Sequence, residues 1–175
     1  MKKIIIAIDS FKGCLTSAEA GKAAEKGIKS INPSCHTSVI PIADGGEGLL
    51  DVLITATKGK YITLSAHGPL MKMAKTHYGL SGNGRTAIIE MAAISGLPLV
   101  PIEQRNPMLT TTFGTGELIK DALNKGCRNF IIGIGGSATN DAGLGMLQAL
   151  GFRFLDKSGH TLGTGGQIME AVANI

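Results

Sequence analysis

Residues 131–143 read IIGIGGSATNDAG, and this stretch decides the fold class. Its apolar start is typical of a strand, and its glycines allow the backbone to turn sharply. The helical spacing of Leu144, Leu147 and Leu150 predicts a helix after the turn. Backbone N–H groups in a glycine-rich turn before a helix attract anions, most often phosphate. Asp141 would repel such an anion unless a cation lay between them, so the stretch indicates a metal-bound phosphate and phosphoryl transfer.

The beginning of the chain predicts a parallel α/β arrangement. Apolar runs at residues 3–8 and 38–42 indicate strands, and helical spacing indicates helices at residues 20–31 and 47–57. Thr16 and Glu19 have the spacing of a capping box at the start of the first of these helices. This order of strands and helices is the beginning of a Rossmann-like, doubly wound parallel sheet.

The middle of the chain differs, because a hairpin signal at residues 81–84, SGNG, indicates antiparallel strands. Further strands are predicted at residues 61–65, 75–80, 85–91, 129–134 and 152–155. Further helices are predicted around residues 118–123 and from residue 167 onward. We therefore expect residues 1–66 to form a first, Rossmann-like α/β portion. Residues 67–175 are expected to form a second α/β portion that includes antiparallel strands.

Composition excludes several classes of function. The net charge of +4 is small and the basic residues are scattered, so we expect no nucleic-acid partner. No apolar stretch reaches the roughly 20 residues that span a bilayer, so we expect no membrane partner. The three cysteines are widely spaced and form no metal-binding pattern. We interpret them as reduced thiols in a cytoplasmic protein.

Acidic residues follow three of the predicted strands. Asp9 lies in a loop with Lys12, Asp44 precedes two glycines, and Asp141 closes the stretch described first. Because ligands of open α/β sheets bind at the carboxyl ends of parallel strands, we expect these loops to lie close together. Each acid also has a purely structural explanation, since Asp and Glu commonly close turns or begin helices, and Glu47 is a further example.

A fourth segment, residues 110–117 (TTTFGTGE), is another turn rich in hydroxyls and glycine before a helix. It is either a second anion-binding turn or an ordinary helix cap. Arg105 lies just upstream and could bind a carboxylate through two parallel hydrogen bonds, or could simply be a solvated surface residue.

A nicotinamide-dependent oxidoreductase is an alternative. Gly133, Gly135 and Ala138 fit the glycine spacing of a dinucleotide-binding turn, and Asp156 follows at a suitable distance after a predicted strand. Against this hypothesis, Asp141 would crowd a pyrophosphate with like charge, and the other acidic loops would have no purpose.

Six segments taken in order resemble the glycerate kinase family. They are residues 9–13 (DSFKG), 43–48 (ADGGEG), 89–92 (IEMA), 105–107 (RNP), 113–119 (FGTGELI) and 133–141 (GIGGSATND). The resemblance spans nearly the whole chain. It implies an enzyme that phosphorylates D-glycerate with ATP and a divalent metal, Mg²⁺, to give a phosphoglycerate. It also implies two α/β domains with the active site in the cleft between them.

The resemblance suggests roles for particular residues. Lys12 would balance phosphate charge, while Asp44 and Asp141 would hold Mg²⁺ or orient the reacting hydroxyl. Arg105 and Thr115 would bind substrate or phosphate. The other predicted contacts to substrate or phosphate are Asp9, Ser10, Gly135, Gly136, Ser137, Thr139 and Asn140.

The chain departs from the family pattern in two respects. The family has Asp-Gly-Gly where this chain has Asp141-Ala142-Gly143, which we expect to be a mild change because alanine suits a helix. The family chain is also about twice as long, so we expect about half of a two-domain kinase. Such a chain is either active, or an inactive fragment whose exposed surface promotes self-association.

Overall fold

The first sheet is a parallel pair of strands joined by a helix. In the computed structural model, which describes residues 3–175, β1 (Lys3–Ile8) pairs with β2 (His36–Pro41) from Lys3 opposite His36 to Ile8 opposite Pro41. Helix α1 (Ser17–Ile31) connects them and packs on both. The predicted parallel beginning of the fold is therefore confirmed over these residues.

Helix α1 begins where the capping box predicts. Thr16 Oγ1 accepts from the amide of Glu19 at 3.2 Å, and the amide of Thr16 donates to Glu19 Oε2 at 2.9 Å. The next residue, Ser17, joins the ends of the two strands: its hydroxyl donates to Ile8 O and accepts from the amide of Ile42. The loops that follow β1 and β2 consequently leave the sheet at the same edge.

The second sheet has four strands in the order β3 (Lys60–His67), β4 (Met73–Leu80), β5 (Thr86–Glu90) and β6 (Asn129–Gly133). The first three strands are antiparallel neighbours, and the predicted hairpin at residues 81–84 joins β4 to β5. β6 is parallel to β5. β3 pairs with β4 along its whole length, so the expected boundary after residue 66 falls at the last residues of β3, a strand of the larger sheet. The division into two portions stays a prediction.

The helices cover the larger sheet. Helix α2 (Leu49–Thr57) packs on it through a small cluster of Leu50, Ile54 and Ile88. The main core contains Tyr78, Ile89 and Leu118 among its fully buried side chains, and burial of an aliphatic side chain such as Ile89 or Leu118 contributes about 1.5–3 kcal/mol. The other helices are α3 (Ala92–Ser95), α4 (Phe113–Asn124) and α5 (Leu144–Leu150), with 3₁₀ turns at Leu97–Leu99, Ile102–Gln104 and Gly166–Ala171.

Two predicted elements are wrong. Residues 152–155 join no sheet in the part of the chain that the structure describes; Leu155 forms only isolated bridges to Thr161 and Asn174. The helix predicted from residue 167 is a single 3₁₀ segment, Gly166–Ala171. It cannot continue, because the amide of Ala173 donates to Leu155 O and draws the chain into an extended conformation.

Part of the apolar surface lies open to solvent. The outer strand β6 and the turn after it expose Ile131, Ile132 and Ile134, and β1 exposes Ile5. In the part of the chain described, no helix combines the length and hydrophobicity required to cross a bilayer.

Candidate active site

Two glycine-rich loops meet at the carboxyl ends of the strands. The amide of Gly135, after β6, donates to Gly45 O, after β2, at 3.1 Å. A Cβ atom on Gly135 would lie 2.7 Å from the Cα atom of Gly46, so only glycine permits this approach. The two sheets, which have no strand in common, are thus joined at the loops that the sequence singles out.

The turn after Gly135 presents both hydroxyls and amides. Ser137 Oγ and Thr139 Oγ1 are 2.7 Å apart, and the amide of Thr139 donates to Ser137 Oγ. Among residues 3–175, no hydrogen bond uses the amides of Gly136, Ser137 or Asn140 as donors. These groups could donate to an anion, as the sequence predicts.

A large cavity of about 580 Å³ opens beside the first loop. Its wall includes Ser10, Lys12 and Cys14 from the loop after β1, together with Glu47 and Glu90. Two backbone hydrogen bonds between Phe11 and Leu15 hold that loop in a tight turn. Asp9 is not part of the wall; its carboxylate accepts from the amide of Ser10 at 2.6 Å.

A smaller cavity of about 260 Å³ is lined in part by the turn that follows Gly135. Arg105, Asn106, Thr110, Ser137 and Thr139 contribute to its wall. The guanidinium of Arg105 donates through Nε to Val100 O at 3.2 Å, which fixes its direction. The structure thus brings Arg105 together with the hydroxyls of the Gly135 turn.

Glu90 has no role predicted from the sequence, although it lies within the family-like segment at residues 89–92. Glu90 ends β5, and its Oε2 accepts from the amides of Gly48 and Leu50 at 3.2 and 3.3 Å. Burial raises the pKa of the Glu90 carboxyl, although these two hydrogen bonds oppose the shift and nearby Asp51 and Glu47 reinforce it. The N terminus of α2 is therefore occupied by the protein's own carboxyl group rather than open to phosphate.

Asp141 lies inside the protein, only 1% exposed. Its carboxylate accepts from the amide of Thr112 at 2.8 Å, from the hydroxyls of Thr111 and Thr112, and from the amides of Gly143 and Gly145 at 3.1 and 3.2 Å. Asp44, in contrast, is exposed and accepts from the amide of Gly46 at 3.0 Å. The geometry favours Asp141 as an internal anchor of the loops instead of a group that faces a ligand.

Thr115 is also internal. It is 1% exposed, and its hydroxyl lies 2.9 Å from Ser95 Oγ within the packing of α3 and α4. It lines neither cavity, so the predicted contact between Thr115 and a ligand does not fit this position. Asn140 is exposed and follows the Ser137 turn directly.

The expectation that Ala142 suits a helix is wrong. Helix α5 begins at Leu144, and Ala142 has a φ of 50° in the left-handed region. The chain turns here so that the amides of Gly143 and Gly145 reach the Asp141 carboxylate. The left-handed conformation costs a residue with a Cβ about 1–2 kcal/mol.

Replacing Ala142 with glycine is therefore expected to raise the free energy of unfolding by about 0.5–1 kcal/mol, because relief of strain outweighs the added freedom of the unfolded chain. Urea denaturation followed by circular dichroism measures the change. Ala23→Gly, on an exposed position within α1, is the matched control and should lower it by about 1 kcal/mol. A loss of stability in Ala142→Gly as large as in the control would contradict the argument.

The dinucleotide alternative does not match the structure. That fold requires a helix immediately after the glycine turn and an acid at the end of the next strand. Here α5 begins only at Leu144, and residues 152–155 are not a strand. Asp156 lies in a local turn, where its carboxylate accepts from the amides of Ser158 and His160.

The comparison with known proteins agrees with the segments quoted above. A family model described as the glycerate kinase family matches residues 4–175. The chain belongs to the glycerate kinase family. It is 54% identical over 173 residues to a glycerate kinase of Bacillus subtilis and 49% identical to a glycerate 2-kinase of Escherichia coli. The match covers 99% of this chain and 45% of each relative.

A solved structure supports the fold. A protein of Salmonella typhimurium LT2 assigned as a glycerate kinase 2 superposes with a TM-score of 0.84 at 48% identity, over 99% of this chain and 47% of that one. The chain therefore spans about half the length of the family members it matches. The oxidoreductase alternative has no support among these relatives.

Within residues 3–175, no group of three or more His, Cys, Asp or Glu side chains is arranged to hold a metal ion. Mg²⁺ is, however, commonly held by one or two carboxylates together with substrate phosphates. The exposed carboxylate of Asp44 fits such a site, because it lies in the loop that contacts the Gly135 turn.

Proposed function

We propose that this chain takes part in the ATP-dependent phosphorylation of D-glycerate to a phosphoglycerate in the cytoplasm. The observation that supports it most is the contact between the Gly45–Gly46 and Gly135 loops, together with one cavity whose wall includes Lys12 and a second whose wall includes Arg105 and hydroxyls of the Gly135 turn. Family membership supplies the class of reaction. The chain covers less than half of its relatives, so catalysis by the chain alone is part of the proposal.

The larger cavity would bind the nucleotide. Its volume of about 580 Å³ lies within the range of about 300–1,000 Å³ typical of small-molecule sites. Lys12 would balance the phosphate charge, with Asp9 and Ser10 shaping its loop. In the neighbouring turn, the amides of Gly136, Ser137 and Asn140 and the hydroxyls of Ser137 and Thr139 would donate to phosphate oxygens, while Gly135, whose amide donates to Gly45 O, would hold the turn in place.

The smaller cavity would bind glycerate. Its volume of about 260 Å³ suits a small acid, and the Nη groups of Arg105 would donate to the carboxylate while Nε holds Val100 O. In the transfer, the glycerate hydroxyl oxygen bonds to the γ-phosphorus while the bond from that phosphorus to the bridging β-oxygen breaks.

Asp44 would be the carboxylate that holds Mg²⁺, and the ion, when bound, would neutralise charge on the nucleotide phosphates. Asp141 would act indirectly, because its hydrogen bonds fix the segment that carries Thr110 and the turn before α5. This assignment differs from the first expectation for Asp141, and it follows from the burial of that carboxylate.

Alkylation of Cys14 tests occupation of the larger cavity. Cys14 is exposed in its wall, whereas Cys35 and Cys127 are buried, so iodoacetamide should modify Cys14 first in the native chain. MgATP should slow this reaction, and Lys12→Met should weaken the protection by about tenfold in nucleotide concentration, since a charged hydrogen bond is lost.

NADH is the control ligand and should give no protection at the same concentration. Peptide mass spectrometry locates the modified cysteine in each sample. If millimolar MgATP leaves the rate of Cys14 modification unchanged, the larger cavity does not bind the nucleotide. If MgATP does protect Cys14, a coupled assay of ADP release with D-glycerate shows whether the chain that binds the nucleotide also catalyses the transfer or is an inactive fragment.

A further inference from the structure

Glu90 is one of the carboxyl groups in the wall of the larger cavity that the proposed reaction does not use. It is partly buried, and none of the ion pairs found between residues 3 and 175 involves it. Desolvation of an acid without a cationic partner lowers stability. Because no ion pair compensates for this loss of stability, the position of Glu90 in the cavity wall calls for a functional explanation.

The contacts of Glu90 connect distant parts of the site. Its side chain accepts from Gly48 and Leu50, about 40 residues earlier in the chain. Beside it, the amide of Met91 donates to Gly133 O at 2.9 Å, at the end of β6. Glu90 therefore lies where β5, β6 and the N terminus of α2 converge.

The contacts of Glu90 help to restrain the loop between β2 and α2. The loop that carries Asp44 is held at Gly45 by the hydrogen bond from Gly135, and at Gly48 by Glu90. Between these two points lie Gly46 and Glu47, and just before them lies Asp44. Gly48 itself is in the left-handed region with a φ of 90°, and the hydrogen bond from its amide to Glu90 restrains the residue at which the loop enters α2.

We propose that Glu90 is a positioning residue that fixes the Asp44–Glu47 loop for nucleotide binding. The inference rests on the proposed function, because the loop is significant only if Asp44 meets a metal-bound nucleotide. Glu90 acts through its acceptor oxygen and does not contact the reacting atoms. A glutamine can accept the same two amide hydrogen bonds, whereas alanine leaves both amides without a partner.

Two variants separate positioning from simple helix capping. Glu90→Ala should speed hydrogen exchange at the amides of Gly48 and Leu50 by at least about tenfold and weaken MgATP affinity by about tenfold. Glu90→Gln should keep both properties within about threefold of the unaltered chain. NMR hydrogen exchange and isothermal titration calorimetry with MgATP measure the two effects. If Glu90→Ala does not fold, Glu90→Asp replaces it, because its shorter side chain cannot reach both amides.

Different outcomes overturn different claims. Faster exchange in Glu90→Ala with unchanged MgATP affinity means that Glu90 only caps α2, and this inference is wrong. Loss of affinity in Glu90→Gln equal to that in Glu90→Ala means that the charge itself, and not the acceptor geometry, is required. If the unaltered chain does not bind MgATP, the proposed function fails and this inference fails with it.

Discussion

Asp141→Asn is expected to lower the free energy of unfolding by about 3 kcal/mol. Asp141 is 1% exposed, and its carboxylate accepts hydrogen bonds from five donors, which are three backbone amides and two threonine hydroxyls. An asparagine can place its oxygen on only one side, so its NH₂ group would face donors such as the amide of Gly145 or Gly143. Removing a partner from a buried, charged hydrogen-bond network costs about 1.5–3 kcal/mol or more.

Urea denaturation measures this loss, and Asp156→Asn is the matched control. Asp156 lies in an exposed turn, where local hydrogen bonds hold the pKa of its carboxyl below the usual value. Asp156→Asn should change the free energy of unfolding far less than Asp141→Asn does. A normally stable Asp141→Asn chain that has lost MgATP affinity would instead show that Asp141 meets the metal or nucleotide directly.

Gly135→Ala is expected to separate the two glycine loops. The new Cβ would lie 2.7 Å from the Cα of Gly46 and 3.0 Å from its amide nitrogen. Neither is a flexible side-chain atom, so the backbone must move, and the hydrogen bond to Gly45 O is lost. We expect a loss of about 2 kcal/mol in stability, the usual cost of overpacking. We also expect the protection of Cys14 by MgATP to disappear.

The control for Gly135→Ala is Gly27→Ala. Gly27 is an exposed position of α1, and nothing lies within 4 Å of the place where its Cβ would be. Alanine should raise stability there by about 0.5–1 kcal/mol, because glycine is a poor helix former. Full MgATP protection of Cys14 in Gly135→Ala would show that the contact between the loops is not needed for binding.

Local patterns in the sequence were enough to predict several elements. Thr16 and Glu19 locate the start of α1 because a capping box involves only neighbouring residues. Residues 81–84 likewise identify the turn between β4 and β5. The apolar run before Gly135 correctly indicates the strand β6, although Ile131 and Ile132 are exposed on it.

The site depends on contacts between residues far apart in sequence, which local patterns do not contain. Asp141 is internal because Thr111 and Thr112, about 30 residues earlier, supply its donors. The role of Glu90 depends on amides about 40 residues away. Three of the residues at 152–155 are apolar and predict a strand, yet Leu155 forms only isolated bridges to Thr161 and Asn174, and the second of these residues is distant in sequence.

The most direct test of the proposed site is an NMR titration of the ¹⁵N-labelled chain with MgATP and then with D-glycerate. We expect MgATP to shift the amide signals of residues 10–13, 45–48 and 135–139 together, and D-glycerate to shift those around Arg105. NADH should shift none of them. Shifts confined to other parts of the chain, or no shifts at millimolar MgATP, would contradict a nucleotide site at the meeting point of the two glycine loops.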